Sequence, residues 1–326
     1  MRNRLKTLIN PNIIIRIISL ALAFTVVQVL ISVNVINSYL QITLATICIN
    51  IILAVSLNLI TGFTGQFSLG HAGFMSIGAY TCAIITMRYG TLWSFILGVF
   101  LGALLAALVG FLVGLPTLRL QGDYLAIATL GMSEIIRVVF VNLDVITNGA
   151  AGLSDIPQFV NWIWLFVFTA GVVWVIANFL NSSHGRACIS IREDEIASSA
   201  MGINTTRYKV MAFTFGAFCA GIAGAMYSSY FYVIKPDLFG FLKSIDILVI
   251  VVFGGLGSIT GSVLAAVLLA IMSTFLQAFS EIRMILYAVL LVAIMIFRPQ
   301  GLMGSKEITI GMFNKLGNMF SSKKEV

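Results

Sequence analysis

The chain has 326 residues, of which 60% are hydrophobic and only 10% are charged, and its mean hydropathy is +1.05. A soluble domain carries about 25% charged residues, so this composition excludes a soluble protein and predicts an all-α, polytopic membrane protein. The formal net charge is +7. The lysines and arginines gather between apolar runs, which is typical of cytoplasmic loops and does not indicate a nucleic-acid partner.

Successive apolar runs along the chain predict about ten transmembrane helices. The runs cover residues 13–33, 39–60, a third stretch ending near 87, then 92–114, 123–141, 161–180, 210–232, a short piece at 244–253, 259–279 and 284–297. Charged residues before the first run resemble a signal peptide, but the run is long and no cleavage site follows, so we expect a retained span. Residues 1–304 then form the transmembrane domain and residues 305–326 a polar cytoplasmic tail.

An even number of crossings places both termini on the same side of the membrane. With both termini inside, thirteen lysines and arginines fall in cytoplasmic stretches and only four, Arg88, Lys235, Lys243 and Arg283, fall outside. This bias follows the positive-inside rule and predicts cytoplasmic N- and C-termini. A re-entrant 244–258 piece would invert the C-terminal half and put the tail lysines outside, so a crossing is preferred.

Two glycine-rich segments interrupt the apolar runs. We name residues 62–78 the first glycine segment and residues 254–261 the second glycine segment. In transporters such breaks free backbone groups near the substrate path, with one break in each half of the fold; the alternative is that the glycines let helices pack closely. The candidate path residues are Gly65, Gln66, Ser68, His71, Gly254, Gly255, Gly257 and Ser258.

Three ionisable residues are predicted at membrane depth. Glu134 and Arg137 are three residues apart, so we expect them to pair on one helical face. Asp246 lies near the outer end of the short 244–253 piece. Ionisable groups in a membrane are functional candidates by default, and the alternative is a structural pair that faces a neighbouring helix.

One long polar stretch, residues 181–209, separates apolar runs on both sides, and we name it the connector. Its middle predicts a short helix, with acidic residues at 193–195 in the first turn, Ala197 and Ala200 at helical spacing, and Gly202 at the C-terminal stop. Asn204 is a candidate cap for the next helix. On the predicted topology this helix, which has small side chains on one face, is exposed to the cytoplasm, and we expect a soluble partner to dock there. The remaining alternative is an ordinary solvated connection.

The sequence contains no catalytic or metal-binding constellation. Its two histidines have no ligand companions, and no G-x-x-x-x-G-K-[ST] phosphate loop occurs. The four cysteines have no disulfide or metal spacing, and Cys188 alone is expected in a loop. The sequence therefore predicts no enzyme, no metal and no cofactor in this chain, so any ATP must be bound by another subunit.

Several distinctive motifs occur in order along the chain. They are NLITGFTGQFSLGHAGF at 58–74, GAY at 78–80, LPTLRL at 115–120, YLAIATLG at 124–131, GAAGLS at 149–154, REDE at 192–195 with GIN at 202–204, FGGLGS at 253–258 with Gly261, and RPQGL at 298–302. Together they resemble the permeases of branched-chain amino-acid ABC transporters, and specifically their LivM branch. The resemblance covers roughly residues 40 to 304.

The resemblance implies a multi-component importer in the plasma membrane of a prokaryote. The chain would pair with a homologous permease of the LivH type, two cytoplasmic ATPases and an extracytoplasmic binding protein that delivers a hydrophobic amino acid. The connector would match the segment that docks into the ATPase, although its Glu-Ala-Ala run is only loosely kept and an Ile-x-Leu-Pro ending is absent. The positions implied for this coupling are Arg192, Glu195, Ala197, Ala200 and Gly202.

Other functions remain open on the sequence. Permeases of the same family carry urea, short amides or other amino acids. A stand-alone secondary transporter would couple intramembrane charges to ions, but the polar connector and the few intramembrane carboxylates disfavour it. A membrane enzyme has no candidate catalytic cluster.

Overall fold

A computed structural model describes residues 24–33, 37–120, 122–275 and 300–304, together with positions 285, 289, 292, 296 and 307. The chain divides into two compact units, residues 1–42 with 306–326 and residues 43–305. In the first unit, residues 24–32 are helical. Most of the predicted first and last spans, the Arg298–Pro299 pair and nearly all of the predicted tail lie outside the described residues.

Most of the described residues are helical, so the predicted all-α architecture is confirmed there, and eleven α-helices follow the helical residues 24–32. They are α1 (Ser38–Asn58), α2 (His71–Tyr89), α3 (Leu92–Thr117), α4 (Asp123–Asn142), α5 (Asp144–Thr147), α6 (Trp162–Asn181), α7 (Ser183–Glu193), α8 (Glu195–Ala200), α9 (Thr205–Phe231), α10 (Phe241–Gly254) and α11 (Ile259–Phe275). A π-helical turn, Leu59–Phe63, continues α1, and 3₁₀ turns occur at Gly149–Ala151 and Pro236–Phe239. Within these ranges the extended pairing is a single bridge between Leu153 and Ile234.

Five helices among the described residues are long and apolar enough to cross a membrane. They are α1 with its π turn (Ser38–Phe63), α3, α4, α6 and α9. Helices α2, α10 and α11 lie at predicted crossings, but each of them is shorter or less apolar than these five helices. Most residues of α2 are buried inside the protein, so its sequence does not have to match the apolarity of a lipid-facing helix. The count of ten crossings stays a prediction.

Helices α2, α3 and α9 pack at very short distances through small residues. A Cβ atom placed on Gly78 would lie 2.0 Å from the carbonyl oxygen of Gly221, and one on Gly224 would lie 1.9 Å from that of Met75. These backbones can approach only because both positions lack side chains. The glycines of α9 therefore allow close helix packing, and Phe74 and Phe213 fill the adjacent core with ring centroids 5.5 Å apart.

Local sequence signals explain where several helices begin and end. Thr91 and Ser94 form a reciprocal capping box at the start of α3, and Gly90 ends α2 in a left-handed conformation. Helix α3 ends at Thr117, one residue beyond Pro116, close to the predicted end of that span. The loop after α5 pairs with the residues that follow α9, since Leu153 and Ile234 exchange backbone hydrogen bonds of 2.9 Å each.

Candidate functional site

The connector contains two helices where one was predicted. Asp194 separates α7 from α8, and its carboxylate accepts hydrogen bonds of 2.9 Å from the backbone N–H groups of Ile196 and Ala197. The predicted helix with an acidic start is therefore found as α8, and the predicted Asn204 cap of α9 accepts a bond of 3.0 Å from the Arg207 N–H. The preceding helix α7 was not predicted.

Helix α7 corrects the expectation that Cys188 lies in a loop. Cys188 is a fully buried helical residue, and Ala187 and Ile191 are buried on the same helix. The polar composition of residues 181–186 concealed a short amphipathic helix. Its apolar positions at 187, 188 and 191 follow the i, i+1, i+4 spacing of a helical face.

Helix α8 presents an exposed apolar surface. Ala197 and Ala200, both predicted for coupling, are exposed, and the neighbouring Ile196 and Met201 are 84% and 83% exposed. The latter two were not among the predicted site residues, although apolar side chains in an otherwise polar stretch are a signal for docking. A cluster of exposed large apolar side chains is typical of a surface that interacts with another protein, a ligand or a membrane.

Glu195 and Gly202, also predicted for coupling, set the position of α8. The Glu195 carboxylate accepts a hydrogen bond of 2.6 Å from Lys209 Nζ, which ties α8 to the first turns of α9. Gly202 follows α8 with φ +85°, a left-handed conformation that terminates a helix. Both residues hold the α8 surface in place.

Arg192 links α7 to both glycine segments. Its Nη1 donates a hydrogen bond of 2.9 Å to the carbonyl oxygen of Gly62, and its guanidinium also pairs with Glu193. A Cβ on Gly65 would lie 3.2 Å from the Arg192 Cγ, and one on Gly257 would lie 2.6 Å from Nη1. The arginine predicted for coupling therefore reaches inward from the connector and touches both segments predicted for the substrate path.

Asn58, the last residue of α1, binds the second glycine segment through its side-chain amide and was not predicted as a site residue. Its Nδ2 donates to the Ser258 carbonyl oxygen at 2.9 Å and to Ser262 Oγ at 2.8 Å, while its Oδ1 accepts from the Gly257 N–H at 2.9 Å. The residue is fully buried. A lone asparagine in an apolar run, directly before a glycine break, is the signal that could have identified it, because a buried amide requires partners.

The second glycine segment is closed from two sides. Gly254 ends α10, and Ser258, fully buried, accepts a 3.0 Å hydrogen bond from the Gly261 N–H at the start of α11. On the other side, the Leu302 N–H donates to the Phe253 carbonyl oxygen at 2.8 Å. Gly255 has φ +115° and ψ 125°, and its missing Cβ would lie 2.5 Å from the Gly304 carbonyl oxygen.

The first glycine segment presents its polar side chains to the protein interior. Between the π turn and α2 the exposure of successive side chains alternates: Gln66 and Ser68 are 2% and 1% exposed, whereas Phe67 between them is 40% exposed. His71 is also buried and is hydrogen-bonded through Nε2 to Ser56 Oγ at 2.8 Å. The predicted polar path residues thus face inward, and the outward side chain, Phe67, was not predicted although the period of two indicates it.

Two polar groups of this segment have no partner in the described part of the chain. They are the side-chain amide of Gln66, at both Oε1 and Nε2, and the imidazole of His71 at Nδ1. Ser68 Oγ accepts only a long 3.4 Å contact from the Gly70 N–H. A buried polar group without a hydrogen-bond partner costs about 1–3 kcal/mol. A conformation that gives these groups partners would therefore be stabilised by the new hydrogen bonds.

The predicted pairing of Glu134 and Arg137 is confirmed. Arg137 Nε lies 2.7 Å from Glu134 Oε2, and Nη1 of the same guanidinium lies 3.0 Å from Asp237 Oδ1. Asp237 belongs to the Pro236–Phe239 turn, so the charges join α4 to this turn. Asp246 is an exposed residue of α10. No group of three or more metal-ligating side chains occurs among the described residues.

These features define a class of protein, a helical membrane protein in which a polar connector contacts two glycine segments between apolar helices. Residues 39–297 match the family model described as branched-chain amino acid transport system / permease component. The chain belongs to this family of transport permeases, which are not enzymes.

Curated relatives agree with the family assignment. The chain is 37% identical over 290 residues to the LivM permease protein of a high-affinity branched-chain amino acid transport system from Salmonella typhimurium, covering 78% of this chain and 68% of the relative. Identity to the Escherichia coli K12 LivM protein is 35% with the same coverage. A LivH permease protein of Salmonella typhimurium is 25% identical, covering 79% of this chain and 92% of the relative. No solved structure matches the chain.

Proposed function

We propose that this chain is the membrane-spanning permease subunit of an ATP-driven importer for branched-chain amino acids, in the plasma membrane of a prokaryote. The family description and the names of the LivM and LivH relatives support this proposal. The proposed partners are a homologous LivH-type permease, two ATPase subunits and an extracytoplasmic binding protein. ATP is bound by the ATPases, and this chain holds no cofactor.

The proposed topology has ten crossings with both termini in the cytoplasm. Residues 1–304 form the permease domain, and residues 305–326 form a cytoplasmic tail. Five described helices of sufficient length and apolarity support a multi-pass arrangement, and the distribution of lysines and arginines supports the orientation. This orientation places the connector in the cytoplasm, where an ATPase can reach the exposed surface of α8.

The observation that carries the mechanism is the contact of Arg192 with both glycine segments. In the proposed cycle an ATPase binds the surface formed by Ile196, Ala197, Ala200 and Met201. Movement of α8 and α7 upon ATP binding then shifts Arg192, which is bonded to the Gly62 carbonyl oxygen. That displacement changes the geometry of the glycine segments and alternates access to a path that they line in part.

This mechanism separates two roles that mutations can distinguish, docking by α8 and transmission by Arg192. The test reconstitutes the full chain with its second permease, both ATPases and the binding protein in liposomes, and measures ATP-dependent leucine uptake, ATP hydrolysis and subunit co-purification. Ala200→Glu places a charge in the docking surface, so we expect the ATPases to be lost from the purified complex.

Arg192→Ala removes the link to Gly62 but leaves the α8 surface unchanged. We expect the ATPases to remain bound and to hydrolyse ATP, while leucine uptake per ATP falls at least about tenfold, in the usual range of coupling energies. Arg186→Ala is the matched control, because Arg186 donates only within the connector, to Asn181 and Ser183. Full uptake by Arg192→Ala would refute the transmission role, and uptake that needs no ATP would refute the importer.

A further inference from the structure

A cavity of about 830 Å³ lies between α3 and α9, away from both glycine segments. Phe111 and Leu115 of α3 form one wall, and side chains of α9 from Arg207 to Phe218 form the other. The volume lies in the range of about 300–1,000 Å³ that is typical of small-molecule pockets. Phe111 and Leu115 are 45% and 41% exposed, so the cavity opens to the outer surface of the helices.

The lining is polar at one end only. Asn204, Thr206 and Arg207 lie at the start of α9, and the residues that follow are mainly apolar. From Arg207 to Phe218 the helix rises about 16 Å, at 1.5 Å per residue. That length is close to half of the ~30 Å hydrocarbon core, which is the depth of one leaflet.

The polar end favours a negatively charged group. Arg207 is exposed and takes part in no ion pair within the described part of the chain. It lies in the first turn of α9, where the helix dipole also attracts anions. Deeper in the cavity, the Thr214 hydroxyl is buried and has no hydrogen-bond partner among the described residues.

We infer that this cavity binds an anionic phospholipid of the cytoplasmic leaflet, with its phosphate at Arg207 and an acyl chain against Phe111 and Phe218. Basic pockets between transmembrane helices at the cytoplasmic surface bind acidic headgroups in this way. The inference rests on the proposed topology and is independent of the transported substrate.

The alternative occupant is the second permease. A transmembrane helix of a partner would require an apolar groove along the full height of α9, with no charge within it. The cavity instead covers one leaflet and ends at an unpaired arginine, which fits an amphiphile with a charged head and an apolar chain. A protein in the cavity is therefore the outcome that would overturn the inference.

The test places a photoreactive group in the cavity wall by replacing Phe111 with p-benzoylphenylalanine. The full chain, purified with its partner subunits, is reconstituted into vesicles that contain phosphatidylcholine and phosphatidylglycerol in equal amounts. After illumination, mass spectrometry identifies what is attached to residue 111. We expect phosphatidylglycerol to be attached in preference to phosphatidylcholine.

Two second-site changes separate the headgroup from the acyl chain. Arg207→Gln should reduce the preference for phosphatidylglycerol about fivefold, in line with the contribution of one basic residue at a membrane surface. Ala107→Trp, which fills the apolar wall, should reduce the labelling of both lipids. Arg186→Gln is the control, since Arg186 is an exposed arginine of the connector that does not line the cavity.

Misfolding of a variant is detected by its thermal unfolding midpoint in detergent. Arg207→Gln should leave this midpoint unchanged, because Arg207 is exposed and takes part in no ion pair among the described residues. Attachment of residue 111 to a protein subunit would overturn the inference in favour of a permease interface. Equal labelling of both lipids, insensitive to Arg207→Gln, would also overturn it and would indicate ordinary annular lipid.

Discussion

The two glycine segments are both breaks between apolar helices, but they satisfy their polar groups differently. In the second segment the Gly257 N–H is bonded to Asn58, and the Ser258 hydroxyl is bonded to the Gly261 N–H. In the first segment the amide of Gln66 has no partner in the described part of the chain. The comparison indicates that the second segment is a fixed support, while the first can rearrange and gain hydrogen bonds when it does.

The largest difference is expected when a single methyl group is added to each segment. Gly255→Ala forces an L-residue into a region reserved for glycine and places its Cβ 2.5 Å from the Gly304 carbonyl oxygen, so the free energy of unfolding should fall by about 3 kcal/mol. Gly65→Ala, at φ +74°, brings its Cβ 3.2 Å from the Arg192 Cγ and 3.4 Å from the Arg192 Cα, contacts that a small shift relieves, so about 1 kcal/mol is expected.

Both variants are compared by thermal unfolding in detergent, followed by tryptophan fluorescence. Gly131→Ala in α4 is the control, because a Cβ there meets nothing within 4 Å. Equal loss of stability at Gly255 and Gly65 would remove the distinction between a rigid and an adaptable segment.

A smaller effect is expected from Asn58→Leu, which keeps the shape of the side chain and removes its amide. The buried Gly257 N–H then has no acceptor, and the bonds to Ser258 and Ser262 are lost, so the free energy of unfolding should decrease by about 2 kcal/mol. Thermal unfolding in detergent measures the change. Unchanged stability would show that the hydrogen bonds of Asn58 do not hold the second glycine segment against α1.

The smallest effect, and the one of opposite sign, is expected from Gln66→Met. Replacing a buried amide that has no partner with an apolar side chain of similar length should raise the unfolding free energy by about 1 kcal/mol. Under the proposed cycle the same change should slow leucine uptake, because the rearranged segment loses a hydrogen-bonding group. Destabilisation by Gln66→Met would mean that the amide is already bonded in the resting protein.

Sequence patterns predicted the elements whose causes are local. Asp194 and Asn204 are capping residues followed by helical spacing, so α8 and the start of α9 could be placed before the structure was known. Glu134 and Arg137 are three residues apart on one helix, and their pairing follows from helical geometry.

The contacts that organise the site were not predictable in the same way. Arg192 bonds to a backbone carbonyl 130 positions away, and every residue has such a carbonyl, so no side-chain pattern identifies this partner. Asn58 contacts residues about 200 positions later in the chain. Helix α7 was missed because its first turns are polar, and its burial depends on contacts with elements that only the fold brings near.

The buried Cys188 on α7 is a native thiol whose reactivity can report movement of this helix. Burial raises the pKa of this thiol to about 11, an effect that a hydrogen bond with Thr64 partly offsets, so only about one thiol in 10,000 is ionised at pH 7. The other cysteines, Cys48, Cys82 and Cys219, are also buried. Alkylation of Cys188 by a maleimide should therefore be slow while α7 keeps the thiol buried. It should become faster when α7 moves and exposes the thiol, because the pKa of Cys188 then returns toward its ordinary value. Under the proposed mechanism, the labelling rate of the native protein would then report the fraction of time for which α7 is displaced during ATP hydrolysis.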